Sequence, residues 1–265
     1  MLDLRAYFSR IRWNGGQTPT FGTLAGLLER HMRAIPFENL DVLLGRPVRL
    51  DLDALQSKLV GARRGGYCFE HATLFAAVLE DLGFAPVRHT ARVTQHAPRT
   101  TVGRTHMFLT VPIDGARFVV DPGFGGLAPH VPVPLVAATN APPGVSHWFA
   151  RDDGHWILRT MQSGAVVDCW ASTLEADNLV DFEVGNHYTA THPASPFVNR
   201  LLLRATTSEG YVSVMNRSVT LVDGGGVRSS ELADRAALRA MLNDHFGFDL
   251  PEVLSIRVPS IEEWR

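Results

Sequence analysis

The stretch Arg64-Gly65-Gly66-Tyr67-Cys68-Phe69-Glu70 contains the most informative residue of the chain, Cys68. Apolar residues follow it at helical spacing until Gly83, namely Ala72, Phe75, Ala76, Leu79 and Leu82. This spacing predicts an amphipathic helix with Cys68 in or near its first turn. A helix N-terminus favours the thiolate, the nucleophilic form of cysteine, so the position is typical of a reactive residue. A cysteine taken alone is more often a buried structural thiol.

The composition is that of an ordinary globular protein. The 265 residues are 45% hydrophobic and 20% charged, and the formal net charge is −2. We therefore expect no general attraction to nucleic acid or to an anionic membrane surface. No apolar stretch approaches the ~18 residues of a membrane span. Cys68 and Cys169 do not make a disulfide framework, and the N-terminal residues lack the layout of a signal peptide, so a reducing, cytoplasmic location is predicted.

Residues 1–85 show helical periodicity. One predicted helix carries Leu24, Leu27, Leu28, His31 and Met32 and is broken by Pro36. Another begins after Asp51 or Asp53, either of which is a plausible N-cap. From Pro86 onward short β-type runs replace the helical pattern, at residues 87–93, 107–113, 117–120, 156–161 and 166–170.

The last third of the chain mixes both patterns. Strand-like runs cover residues 197–205, 211–215 and 218–222, and three glycines at 224–226 predict a turn. A last helix is predicted from about Ser230 to His245, with Ser229 or Ser230 as its cap. The order of a helical part, a β part and a mixed tail favours an α+β fold over a doubly wound sheet.

The dipeptide Asp114-Gly115 lies between two β-type runs and predicts a hairpin. With a two-residue loop, Val111 faces Phe118, and His106 and Asp121 lie on one face as diagonal neighbours about 7–8 Å apart. An imidazole and a carboxylate can form a hydrogen bond over that separation. A three-residue loop would turn the carboxylate to the other face.

A cysteine nucleophile needs a base, and the base needs a third group that fixes its tautomer. Cys68, His106 and Asp121 could form that set. Separately, the histidine could be an ordinary strand residue and the aspartate an ordinary turn residue before Pro122. Their joint pattern predicts a catalytic triad.

Four segments carry a resemblance to a known family: residues 64–70, Thr105-His106-Met107, the run Val120-Asp121-Pro122-Gly123-Phe124-Gly125, and Pro36-Phe37-Glu38-Asn39-Leu40. Together they resemble the arylamine N-acetyltransferases, and the resemblance extends from Tyr7 to Phe197. Pro122 departs from the small or β-branched residue that the family pattern leads us to expect.

The resemblance implies three domains around a triad core like that of cysteine proteases. They are an N-terminal helical bundle (residues 1–85), a central β-barrel (86–185) and a C-terminal α/β lid (186–265). It also implies ping-pong transfer of an acetyl group from acetyl-CoA, through an acetyl-cysteine, to an arylamine or arylhydrazine. The implied partners are these small molecules alone, for a monomer or small homo-oligomer.

The same resemblance assigns roles to residues. Cys68 matches the acetyl-accepting nucleophile, His106 the base and Asp121 its orienting partner. Phe37 and Phe124 match residues that line the acceptor pocket. The candidate contacts of the cofactor are Val102, Gly103, Gly125 and Gly126.

Other signals point to structure. Glu38 lies in an apolar context, and because a buried carboxylate must be paired, we interpret it as structural rather than as a substrate contact. Cys169 and Trp264 are expected in the core. No Gly-Lys-Ser/Thr loop and no metal-binding spacing is present, so neither a nucleotide loop nor a metal site is predicted.

Three alternatives stay open at this stage. A cysteine hydrolase, such as a thioesterase or a transglutaminase-like peptidase, would use the same triad. An amide synthase of natural-product biosynthesis would use the same fold with a larger pocket. A binding module with an inert Cys68 would not label rapidly with iodoacetamide near pH 7.

Overall fold

The structure is a computed structural model that describes residues 1–262 and Trp264. Helices make up its N-terminal part: α1 (Leu4–Ile11), α2 (Phe21–Ala34), α3 (Leu40–Leu43), α4 (Leu52–Leu55) and α5 (Cys68–Asp81). Asp51 caps α4, since its carboxylate accepts a hydrogen bond from the backbone N–H of Ala54 at 3.0 Å. The predicted helices and this cap are confirmed.

Helix α5 is the central helix of the N-terminal bundle. Eleven of its fourteen residues are buried, so the helix is enclosed nearly all round rather than amphipathic as predicted. Leu24, Leu27 and Leu28 of α2 pack in the same core. The predicted nucleophile therefore lies at the end of the most enclosed helix of the bundle.

A barrel-like sheet follows the bundle. Its strands are β2 (Val87–Val93), β3 (Arg104–Ile113), β4 (Ala116–Val120), β5 (Val133–Pro134), β6 (His147–Asp152), β7 (His155–Gln162) and β8 (Ala165–Ser172). Their spatial order is β5-β4-β3-β2-β8-β7-β6. The backbone N–H of Ala138, just after β5, donates to the oxygen of Phe149 on β6 at 2.7 Å and nearly closes the barrel.

The predicted hairpin register is confirmed. Val111 pairs with Phe118 and Ile113 with Ala116 across β3 and β4. Asp114 and Gly115 have φ angles of 50° and 78°, which suit the tight turn that matches strand twist. Regular pairing ends at Leu109 and Val120, before the two predicted site residues.

A second sheet forms the C-terminal part with helices at its side. Its strands are β1 (Phe37–Glu38), β9 (Leu202–Thr206), β10 (Tyr211–Met215), β11 (Ser218–Asp223) and β12 (Gly226–Glu231). The helices of this half are α6 (Leu179–Thr191), α7 (Pro196–Asn199) and α8 (Arg235–Met241). Since β1 comes from the N-terminal part, this sheet joins the two ends of the chain. The predicted α+β class with bundle, barrel and α/β lid is confirmed.

Two C-terminal predictions are wrong. Residues 197–205 are not one strand, because Ser195 Oγ accepts from the backbone N–H of Phe197 and starts the short helix α7. The last helix does not begin at Ser230, because residues 226–231 pair with β11 as an exposed edge strand. Asp234 caps α8 instead of a serine.

Sequence reasoning also missed helix α6. Its outer positions carry apolar side chains and its buried positions include Gly185 and Asn186, so no helical apolar stripe marks it. The predicted domain boundary between residues 185 and 186 falls inside this helix. The division into three domains stays a prediction, and the end of α6 suits the second boundary better. Among residues 1–262 and 264, no helix is long and apolar enough to cross a membrane.

A buried cluster of charges connects β1 with the segment before α5. Arg64 binds Glu38 at 2.7 Å and Asp41 at 2.6 Å, and Lys58 binds Asp41 and Glu70, each at 2.7 Å. Three carboxylates thus share two cations. Burial, reinforced by Glu38, raises the pKa of Glu70 to about 7, although Lys58 acts in the opposite direction. The structural interpretation of Glu38 fits this network, because its side chain is fully buried and paired.

Replacing Arg64 by methionine should destabilise the protein by about 3–5 kcal/mol, because it leaves Glu38 and Asp41 buried without their main partner. Urea denaturation followed by tryptophan fluorescence measures the change. The control is Arg239→Met, which removes an exposed two-bond pair with Asp249 and should cost only a small fraction of that amount. Equal losses in both variants would contradict a special role for the buried cluster.

Candidate active site

Cys68 is the first residue of α5, as predicted. Its side chain is buried, and its Sγ atom lies 3.8 Å from the backbone oxygen of Thr105. Glu70 accepts a hydrogen bond from the backbone N–H of Tyr67 at 3.1 Å and so closes the first turn. The sulfur therefore sits where the unpaired N–H groups of a helix start favour negative charge.

The glycine pair before Cys68 is required by close packing against the backbone of Pro36 and the side chain of Glu70. A Cβ on Gly65 would lie 2.0 Å from the oxygen of Pro36, and one on Gly66 would lie 2.5 Å from Glu70 Oε2. The backbone N–H of Glu38 donates a hydrogen bond to the backbone oxygen of Gly66 at 2.8 Å. The segment before the nucleophile is thus clamped against residues 36–38.

His106 and Asp121 meet as the hairpin register predicted. His106 Nε2 lies 2.8 Å from Asp121 Oδ2, and both side chains are buried. Trp170 donates from Nε1 to the same carboxylate oxygen at 2.9 Å. With Nε2 engaged, Nδ1 is the ring nitrogen left to face Cys68, which is close enough to raise the pKa of the imidazole.

The electrostatic balance at His106 favours the imidazolium. Burial is the largest influence and lowers its pKa, but the charge and hydrogen bond of Asp121, together with Cys68, raise the pKa of His106 to about 10. The ring therefore carries a proton at neutral pH. A cation between a sulfur and a carboxylate is the arrangement that supports a thiolate nucleophile.

Gly123 brings the two halves of the site together. A Cβ on Gly123 would lie 2.5 Å from the Cα atom of Cys68 and 3.1 Å from His71 Cβ. The turn after Asp121 therefore packs directly on the first turn of α5, which only glycine allows.

The two predicted acceptor residues lie beside this centre. The ring of Phe124 is 4.8 Å from that of His106, measured between centroids. The ring of Phe37 lies 3.6 Å from the Cβ position of Gly125, and it is 6.0 Å from the ring of Phe197. Both predicted residues are half-buried. Aromatic rings thus adjoin the histidine and the turn that follows Asp121.

The predicted cofactor contacts lie on two loops. Val102 and Gly103 directly precede β3, the strand that carries His106, and the backbone oxygen of Val102 accepts a hydrogen bond from Arg92. Gly125 and Gly126 follow Phe124 in a short helical turn. Gly103 and Gly126 are exposed, which a surface for a large cofactor requires.

A second histidine near Cys68 is a poor base. His71 donates from Nε2 to Pro36 at 3.2 Å, His31 donates to His71 Nδ1 at 2.8 Å, and Tyr7 donates to His31 at 2.8 Å. This series of hydrogen bonds ends at the carbonyl oxygen of Pro36, which can only accept. The donor in each bond of the series is therefore determined. Burial lowers the pKa of His71 to about 4, so this ring is neutral with both nitrogens occupied.

Sequence reasoning missed Trp170. It stacks on Phe108 with 4.1 Å between centroids and is fully buried. No local signal links it to Asp121, because the contact depends on β8 pairing with β2. Cys169 beside it lies in the barrel core as expected, and burial raises the pKa of its thiol to about 12. Among residues 1–262 and 264, no cluster of three or more His, Cys, Asp or Glu side chains could hold a metal ion.

Comparison with known proteins decides the family. The family model described as N-acetyltransferase matches residues 20–254. The arylamine N-acetyltransferase of Mycobacterium tuberculosis is 37% identical over 259 residues, which cover 95% of this chain and 91% of that protein. The chain belongs to the arylamine N-acetyltransferase family. The Escherichia coli arylamine N-acetyltransferase is 33% identical, over 94% of this chain and 90% of its own length.

Solved structures of the family have the same fold. The arylamine N-acetyltransferase of M. tuberculosis superposes with a TM-score of 0.88 at 35% identity, over 95% of this chain and 98% of that one. That of Mycobacterium marinum, solved in complex with CoA, gives a TM-score of 0.88 at 34% identity, over 95% and 94%. The predicted family is confirmed.

Replacing Asp121 by asparagine should lower the pKa of His106, because it removes the charge that outweighs burial. Histidine-selective NMR should show wild-type His106 protonated through neutral pH and losing its proton near pH 10. In the variant the ring should lose its proton at a much lower pH. Asp168→Asn, at an aspartate that pairs with Arg159, is the control and should leave the His106 titration unchanged. An unchanged titration in Asp121→Asn would contradict the proposed charge balance.

Proposed function

We propose that the protein transfers the acetyl group of acetyl-CoA to the nitrogen of an aromatic amine or hydrazine through an acetylated Cys68. The observation that carries the proposal is the buried arrangement of Cys68, His106 and Asp121 at the start of α5. Membership of the arylamine N-acetyltransferase family supplies the reaction class.

The first half-reaction acetylates the enzyme. The Cys68 thiolate attacks the thioester carbonyl of acetyl-CoA, and the carbon–sulfur bond to CoA breaks. The His106 imidazolium gives its proton to the departing CoA sulfur, so CoA leaves as a thiol and His106 becomes neutral. Backbone N–H groups at the start of α5 are candidates to stabilise the negative oxygen of the intermediate.

The second half-reaction regenerates the enzyme. The amine nitrogen attacks the acetyl carbonyl, the bond to Cys68 breaks, and neutral His106 takes the proton that the nitrogen loses. An aromatic amine suits this step because its low basicity leaves it neutral near pH 7. Phe37 and Phe124 would hold its ring and exclude water, which favours transfer over hydrolysis.

Two loops are proposed to hold the donor. Val102 and Gly103 form one side of this site, and Gly125 and Gly126 form the other. The support is the exposure of Gly103 and Gly126 on loops adjoining His106 and Phe124, together with the relative from M. marinum that was solved with CoA. Because glycine has no side chain, the cofactor could approach the backbone closely at three of these positions.

An assay run with acetyl-CoA alone and then with acetyl-CoA and an arylamine distinguishes this proposal from its alternatives. CoA release is followed by chromatography for wild type and Cys68→Ser, with Cys169→Ala as the matched control at the other cysteine. Wild type and Cys169→Ala should release about one equivalent of CoA without an acceptor and turn over only when the amine is added. Cys68→Ser should do neither, and His106→Gln should lose about 10²–10⁴-fold in rate.

Other outcomes identify the alternatives. Continued CoA release without amine would make the protein a thioester hydrolase. A burst with no transfer to simple arylamines or hydrazines would favour the amide synthase. Absence of any burst in wild type would contradict an acetyl-cysteine altogether.

A further inference from the structure

Arg204 is a half-buried cation beside the proposed acceptor pocket, and the function proposed above gives it no role. It lies on β9 directly opposite Phe37 of β1. Paired residues of antiparallel strands share a face, so the guanidinium lies on the same side of the sheet as the Phe37 ring. Its neighbours Leu203 and Ala205 point into the opposite, buried side. The sheet therefore presents Arg204 toward the pocket.

Two contacts fix the position of the guanidinium. Its central carbon lies 3.7 Å from the centroid of the Tyr211 ring, which is a cation–π contact. Its Nη1 atom lies 3.5 Å from the Cβ position of Gly126. Because residue 126 has no side chain, nothing at that position covers the cation.

The charge of Arg204 has no carboxylate partner in the described part of the chain. Within residues 1–262 and 264, no Asp or Glu oxygen lies within 4.0 Å of its nitrogens, whereas the more deeply buried Arg64 has two carboxylates. The nearby Glu29 is already engaged by Arg33 at 3.1 Å. Burial lowers the pKa of Arg204, and only Tyr211 opposes that effect. A partly desolvated guanidinium without a counterion is costly unless a ligand supplies the negative charge.

The path from the nucleophile to this cation is continuous. Phe124 contacts His106, the Phe37 ring packs against Gly125, and Arg204 lies against Gly126. An aromatic amine whose nitrogen faces Cys68 and whose ring lies along the two phenylalanines would direct its far substituent toward the guanidinium. A guanidinium presents paired N–H donors that match the two oxygens of a carboxylate or phosphate.

We propose that Arg204 binds an oxyanion carried by a substrate, and that it selects aromatic amines with a carboxylate opposite the amine. This inference rests on the proposed function. The place of Arg204 opposite Phe37 favours the acceptor amine as the source of the oxyanion. The phosphate groups of acetyl-CoA share the same chemistry and are the second source to test.

The acceptor arm compares 4-aminobenzoate with its methyl ester, which keeps the ring and the amine but has no charge. In Arg204→Gln the second-order rate constant for the acid should fall about 10–100-fold, the value of a charge-assisted hydrogen-bonded contact. The ester should react at nearly the wild-type rate, which also shows that the variant is folded. Arg204→Lys should restore part of the loss. Arg33→Gln removes a nearby charge already paired with Glu29 and is the matched control. It should change little the ratio of the rate constants for the acid and the ester.

The donor arm measures acetylation of Cys68 by acetyl-CoA and by acetyl-pantetheine, which lacks the diphosphate. A loss in Arg204→Gln with acetyl-CoA alone would support oxyanion binding with phosphate as the bound group, and it would overturn the selection of carboxylated amines. Equal losses with every substrate, or no loss with any, would overturn it. Calorimetry measures the binding of 4-aminobenzoate and of its ester to the unacetylated wild type and to Arg204→Gln. It compares the acid with the ester without turnover. If wild type acetylates no aromatic amine or hydrazine, the proposed function fails, while this binding difference still decides the role of Arg204.

Discussion

The buried pair of Arg64 and Glu38 is the constraint on which the rest of the site depends. It joins the segment before the nucleophile to β1, and the backbone bonds between Gly66 and residues 36 and 38 keep the two segments in register. On the far side, Asn39 donates to the backbone oxygens of Phe197 and Arg200. One short segment, residues 36–40, thus holds the nucleophile helix, the aromatic pocket and the C-terminal sheet together. A buried ion pair suits this role because a displaced partner leaves an uncompensated charge.

The site itself depends on opposing electrostatic effects. Burial alone would leave His106 neutral, and only the carboxylate of Asp121, with Cys68 on its other side, keeps the ring protonated. Trp170 adds a donor to that carboxylate from a different strand of the barrel. The neighbouring His71, without a carboxylate, remains neutral. Two histidines near one sulfur are therefore distinguished by their partners and not by their burial.

Local sequence rules predicted the hairpin and the nucleophile helix correctly. The Asp-Gly turn set the register of β3 and β4, and with a side-chain period of two this placed His106 and Asp121 on one face. The apolar spacing after Cys68 located α5 correctly. The same rules failed for Ser230 and Glu231, which pair with β11 instead of beginning the last helix, and for α6, which has no apolar stripe. Trp170 and Arg204 were out of reach because strands distant along the chain bring them to the site.

The sequence by itself determined the nucleophile helix, the hairpin and the family resemblance, because each depends on residues close together in the chain. The tertiary structure alone decided that Gly123 packs against the Cα atom of Cys68, that Trp170 supports Asp121, and that Arg204 faces the pocket with no carboxylate partner among the residues that the structure describes. These features arise where the barrel, the bundle and the C-terminal sheet meet. Contacts of that kind depend on how whole elements pack, and no local pattern of residues encodes them.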